Sequence, residues 1–295
     1  MTMRLLPRLI GILVAAFIAA PLLIVVPMSF STAPSLEFPP PGYWLGYYTA
    51  YFTDERWTQP TINSLVIAFG TMLLTMLLVT PATFAVVRHR FLGRGIANLM
   101  LTMPMAMPHI VLAIGYYSFL GDLRLTQTHV GVIIAHTALS VPVAFLILSA
   151  NLKGFDRNLE RAAMSLGATP LRTFWHVTLP VLRPGFAISA LFAFIQSFDE
   201  TVVALFISGR ESETLPRKMF ESIRVQADPV ISVVSTLLFA AVVLVVLVPV
   251  LWKAVRKRRS PTGPSTVARD AAGATAGTAS PDIDPCAPSR VQLEA

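Results

Sequence analysis

Six runs of roughly 20 apolar residues, each bounded by charges or by a Pro/Gly cluster, constrain this chain more than any other feature. A helix of that length covers a hydrocarbon core of ~30 Å. The runs fall at about 9–30, 63–87, 96–120, 130–150, 185–207 and 231–252, which reads as an all-α integral membrane protein with six transmembrane helices. Composition agrees: 54% of the 295 residues are hydrophobic and 13% are charged, a balance that no water-soluble domain carries. Pro104 and Pro108 interrupt the third run and Pro142 the fourth, and kinks are expected there, because neighbouring helices satisfy the carbonyls that a membrane proline frees. The first run follows Arg4 and Arg8. It is longer than a signal-peptide core and no small-x-small site follows it, so it reads as an uncleaved anchor.

Orientation follows from the basic residues. One set of connections carries fifteen Lys and Arg residues, from Arg4 and Arg8 through Arg88, Arg90 and Arg94 to the Lys253, Arg256, Lys257, Arg258 and Arg259 cluster; the alternate set carries six. The richer set is cytoplasmic, and an even number of crossings brings both termini to that side. The net charge of +7 therefore reports membrane topology and not a nucleic-acid face, since the basic residues flank apolar runs. Cys286 is the only cysteine, which excludes an intrachain disulfide and a thiol metal cluster. Residues 1–259 form the membrane domain. Residues 260–295, rich in Pro, Ala, Ser, Thr and Gly, have no periodic apolar face to bury and read as a disordered cytoplasmic tail. The first external loop carries Trp44, Tyr47, Tyr48, Tyr51, Phe52 and Trp57, read as an aromatic belt at headgroup level.

The connection at 151–184 is too long for a plain link. Leu159, Ala162, Ala163 and Leu166 have helical spacing, with Asp156 placed to cap the start and Gly167 to end the helix. Thr169 and Pro170 open a second helix, whose apolar face is Leu171, Phe174 and Trp175 and which is expected to stop at Pro180. By physics alone the two helices are suited to lying on a lipid surface. The spacing points elsewhere. Arg161-Ala162-Ala163, Gly167, Val177 and Leu179-Pro180 keep the register of E-A-A-x3-G-x9-I-x-L-P, and so the segment resembles the cytoplasmic coupling loop of binding-protein-dependent ABC importer permeases. Arg161 stands where the pattern has an acid, Glu160 precedes it by one residue, and Val177 replaces isoleucine. The resemblance implies a type I ABC importer permease fold, with Glu160, Arg161, Ala162, Ala163, Gly167, Val177, Leu179 and Pro180 meeting an ATPase subunit. The chain itself has no Walker A phosphate loop, since none of its four lysines follows a glycine.

The fifth run contains Phe198-Asp199-Glu200, two carboxylates inside an apolar stretch. A charged group at the membrane centre costs on the order of 3 kcal/mol, so such residues face a cavity or a partner. Taken as one continuous helix, the run places Asp199 about 21 Å beyond Gly185, in the outer half of the bilayer. A helix–helix polar contact and a contact with solute both suit the pair. Ser197-Phe198-Asp199-Glu200, Thr214-Leu215-Pro216, Asp228-Pro229, Phe38-Pro39-Pro40 and Asn63-Ser64 are similar to the second permease subunit of spermidine/putrescine-type importers. That resemblance implies a substrate pathway at Phe198, Asp199 and Glu200, and a bacterial inner-membrane location. It also implies four kinds of partner: ATPase subunits, a second permease, a periplasmic solute-binding protein and membrane lipid. No nucleic acid, cofactor, metal or catalytic residue is expected. His109 and His136, within the runs, and His89, His129 and His176, near their edges, have no metal-ligand spacing and read as packing or interfacial residues. The resemblance implies polyamines or a related small cationic solute; the alternatives are an ABC permease for another small solute, since related permeases share these motifs, and a stand-alone ion-coupled transporter using Asp199 and Glu200 as its proton site. Its expected inverted repeat is not seen in the loops or breaker positions.

Overall fold

The computed structural model describes residues 5–225 and 228–259; the 260–295 tail, with Cys286, lies outside the described residues, as does Arg4. Among the described residues the architecture is all-helical, with one isolated bridge between Ser31 and Tyr43. The chain divides into a compact unit up to Phe239 and a second from Ala240, whose described part is the remainder of the last helix.

Helix α1 spans Leu5–Met28, α2 Gly46–Thr53 and α3 Glu55–Arg88. Next come α4 (Arg94–Thr102), a 3-10 turn (Met103–Ala106), α5 (His109–Asp122) and α6 (His129–Lys153). The connection after α6 holds α7 (Asn158–Ser165), and α8 (Pro170–Thr173) follows it. A π-helical turn (Phe174–Thr178) joins α8 to α9 (Leu179–Phe198); α10 (Val202–Ile207), α11 (Leu215–Val225) and α12 (Val230–Arg259) complete the order.

Among the described residues, three stretches are long and apolar enough to cross a bilayer: Glu55–Arg88, His129–Lys153 and Pro170–Phe198. Arg94–Ala106 and His109–Asp122 together make a fourth, bent by 107°. Met107 and Pro108 form the bend, where the proline cannot donate to the preceding turn. Pro142, in contrast, lies inside an unbroken α6. Pro180 departs from expectation as well. It does not stop the second short helix, which runs on into α9; a wide π turn ends at Thr178, with only Leu179 between it and Pro180, and there the Leu179 N–H reaches back five residues to the Phe174 carbonyl.

Helices α3, α6 and α9 form the core, and small residues set their separation. A Cβ added at Gly70 on α3 would come within 2.7 Å of Ile133 on α6, and one at Gly185 on α9 within 2.6 Å of Asn151. Buried Ala68, Ala135, Ala144 and Ala193 let the backbones approach where lipid supplies no hydrophobic drive. One polar chain crosses all three helices: His136 Nδ1 lies 2.9 Å from Ser197 Oγ, which donates to Thr71 Oγ1 at 3.1 Å. A second apolar cluster joins Ile67, Ala113, Leu120, Val132, Val203 and Ile207, fastening α5 and α10 to α3 and α6.

The loop aromatics are partly internal. Tyr51 and Trp57 are buried against Leu215, Val230 and Val234, while Tyr47 donates to the Ala33 carbonyl and Trp44 to that of Ser31. Trp44 and Phe52 remain exposed. For Tyr51 and Trp57 the belt reading gives way, because both rings pack against residues of α11 and α12.

Candidate functional site

The first candidate site is the α7 connection. Asp156 Oδ1 accepts the Asn158 N–H at 2.9 Å, and Thr169 Oγ1 accepts that of Arg172 at 3.3 Å, so both predicted starts are capped. Gly167 has φ +87°, with Ala168 N–H bonded to the Ala163 carbonyl and Gly167 N–H to that of Met164. This is the Schellman ending, which glycine adopts without a Cβ penalty.

Glu160 points inward from α7. Arg88 Nη1, from the end of α3, donates to its two oxygens at 2.8 and 2.7 Å, and the Thr178 hydroxyl of the π turn donates to Oε1. The Arg88 guanidinium also lies over Phe84, 4.7 Å from the ring centre, and 5.5 Å from that of Phe155. One buried carboxylate therefore ties α3, α7 and the start of α9, beside a cavity of about 410 Å³. Arg161 and Ala162 are exposed, Ala163 is half-buried, and Val177, Leu179 and Pro180 are half-buried at the base of α9. Leu159, Met164, Leu166, Leu171 and Trp175, all within the segment from α7 to the π turn, are each exposed, Leu166 by 89%. Arg88 and Thr178 belong to this site and were not legible in the motif. Arg88 carried only a topological signal.

The second candidate site is a break. Asp199 and Glu200 do not continue the helix: α9 ends at Phe198 and α10 begins at Val202. Glu200 is 5% exposed, and its Oε1 accepts the Val203 N–H at 3.0 Å, capping α10. Its Oε2 is 3.0 Å from Nδ1 of His109, the first residue of α5. Asp199 is exposed, and its carboxylate has no hydrogen-bond or ion-pair partner among the described residues. The two interrupted helices thus meet at a cavity of about 300 Å³ lined by His109, Gln196, Asp199, Glu200 and Thr201. Phe198 does not line it. That ring stacks on Phe194, 5.8 Å away, and packs against the cluster around Trp57. His109 is the residue that sequence reasoning missed; its one signal was a histidine directly after the proline of a broken run.

Asn63 and Ser64 hold the loop that follows α10. Asn63 Nδ2 donates to the carbonyls of Glu211 and Glu213 at 2.9 and 3.0 Å, and Ser64 Oγ accepts the Leu215 N–H at 2.7 Å. Burial raises the Glu213 carboxyl above its ordinary value, partly offset by Lys218.

Comparison with known proteins gives these sites a context. The family described as "Binding-protein-dependent transport system inner membrane component" matches residues 77–260. The chain is 32% identical over 247 residues to the putrescine transport system permease protein PotI of Escherichia coli (strain K12), covering 78% of this chain and 84% of that one. It is 27% identical over 236 residues to the spermidine/putrescine transport system permease protein PotC of Haemophilus influenzae, covering 79% and 91%. In three dimensions it is similar to a chain from the crystal structure of a bacterial ABC transporter involved in the import of the acidic polysaccharide alginate. The TM-score is 0.62 at 16% identity, covering 87% of this chain and 97% of that one, a likeness of fold.

Proposed function

The chain belongs to the family of binding-protein-dependent transport system inner membrane components, and from that premise we propose that it forms part of the membrane passage of an ATP-driven importer of polyamines or related small organic cations. The observation that carries the cation reading is the unengaged Asp199 carboxylate, open on a cavity where two interrupted helices meet. Interrupted helices free backbone and side-chain polar groups to face a passage inside an apolar bundle. The polyamine permeases to which the chain is similar support the same class of solute.

In this reading the chain crosses a bacterial inner membrane six times, with residues 1–259 as the membrane domain and both termini in the cytoplasm. ATP is hydrolysed on separate ATPase subunits. These grip the exposed Leu159, Leu166, Leu171 and Trp175 together with Arg161, Ala162, Ala163 and Gly167, while Glu160, Val177, Leu179 and Pro180 transmit the movement inward. A second permease completes the passage and a periplasmic solute-binding protein delivers the solute. The test is transport by the assembled complex in vesicles. Radiolabelled putrescine should accumulate only with ATP and the ATPase subunits; accumulation by this chain alone under a proton or sodium gradient would overturn the proposal in favour of an ion-coupled transporter.

A further inference from the structure

Asp199 and Glu200 are neighbours in sequence and chemically unlike in the fold. Both oxygens of Glu200 are engaged, one by a backbone amide of α10 and the other by the imidazole of His109. The carboxylate is buried and also sits at the amino-terminal ends of α5 and α10, where helix dipoles favour negative charge. Asp199 has none of these partners. Gln196 and Thr201, also lining the cavity, are neutral. On α6, which packs against α10, His136 is occupied with Ser197 and His129 with Asn63. Among the described residues, a cation entering the cavity therefore meets one unengaged carboxylate, and the side chain that keeps the second from it is His109, itself 43% exposed.

We propose that His109 is a specificity-determining residue of the passage: it occupies Glu200, so that Asp199 is the single carboxylate that meets the solute cation. The inference rests on the cation-import reading above. Of Glu200's two partners, only the imidazole can be removed by mutation without altering the α10 backbone. Once it is gone, a buried carboxylate has lost half of its compensation, and the cation nearest to hand is the solute.

The experiment follows radiolabelled putrescine uptake in cells whose sole polyamine importer contains the full chain with its natural subunits, at matched membrane levels. Asp199→Asn should lower uptake roughly tenfold. His109→Ala should lower KM about threefold and lower the maximal rate, because a second carboxylate now holds the cation. It should also restore part of the uptake that Asp199→Asn loses, and adding Glu200→Gln should abolish both effects. His109→Gln, closer in size, carries the same expectation in smaller measure should His109→Ala fail to reach the membrane. Normal uptake in Asp199→Asn would overturn the cation reading itself. A tenfold loss there, with no change in KM and no rescue by either His109 variant, would leave that reading standing and overturn the role of His109.

Discussion

Arg88 and Glu160, 72 positions apart, meet through two hydrogen bonds of 2.8 and 2.7 Å from one guanidinium nitrogen, and Thr178 closes the same carboxylate from a third element. The acid that organises the α7 connection is therefore Glu160, turned inward, and the neighbouring Arg161 faces out. One residue bonds the fold together; the other remains available to a partner.

Glu160→Ala should destabilise the protein by about 3 kcal/mol, because it leaves the largely buried Arg88 charge uncompensated. Arg161→Ala, at an exposed position, should stay within roughly 0.5 kcal/mol of the parent. Denaturant unfolding in detergent compares the two. Equal losses would deny Glu160 its structural role.

Gly167→Val should reduce uptake while leaving membrane insertion intact. A Cβ at Gly167 meets nothing within 4 Å, so the cost is the positive φ alone, about 1–2 kcal/mol for a β-branched residue, spent on the angle between α7 and α8. Leu166→Glu, at an exposed position, should leave stability unchanged and reduce co-purification of the ATPase subunits. Full transport in Gly167→Val, or undiminished co-purification in Leu166→Glu, would count against docking at this loop.

Asn63→Ala should loosen the loop between α10 and α11. The substitution removes the side-chain donor to the carbonyls of exposed Glu211 and half-buried Glu213, at a cost of roughly 1 kcal/mol. Limited proteolysis reads this directly: faster cleavage within 209–214 is expected, and an unchanged rate would show that Ser64 suffices.

Asp54 caps α3 by accepting the Arg56 N–H at 2.9 Å, and its side-chain hydrogen bonds with Arg56 hold the carboxyl below its ordinary value. A depressed folded-state value means that the stabilisation is complete above the unfolded value and is lost as pH falls through the folded one. Asp54→Ala should therefore cost roughly 1 kcal/mol at neutral pH and less in acid, while Asp54→Asn keeps the cap and removes the acid-side loss. Thermal unfolding across acidic pH checks both variants.

What was legible in the sequence has local causes. The runs at 63–87 and 130–150 lie inside α3 and α6, because apolar length is a sum over neighbouring residues. The capping role of Asp156, the Thr169-Pro170 start and the left-handed Gly167 were readable for the same reason: each depends on a turn of four to six residues. That the helix continues through Pro180 was not legible in the same way, because the π turn before it involves the whole Phe174–Thr178 segment. The break after Phe198 was invisible in hydropathy, since the apolar run resumes at Val202 and continues to Ile207 on its far side.

By itself, then, the sequence determined an all-helical membrane fold, the apolar segments and the α7 connection with its motif spacing, all properties of stretches of chain. Only the tertiary structure decided that Glu160 belongs to Arg88 and Glu200 to His109, and that Asp199 is left unengaged among the described residues. The physical reason is that hydropathy and helix caps act between neighbours, whereas a buried carboxylate is compensated by whichever helix end is packed against it, and composition carries no record of that packing.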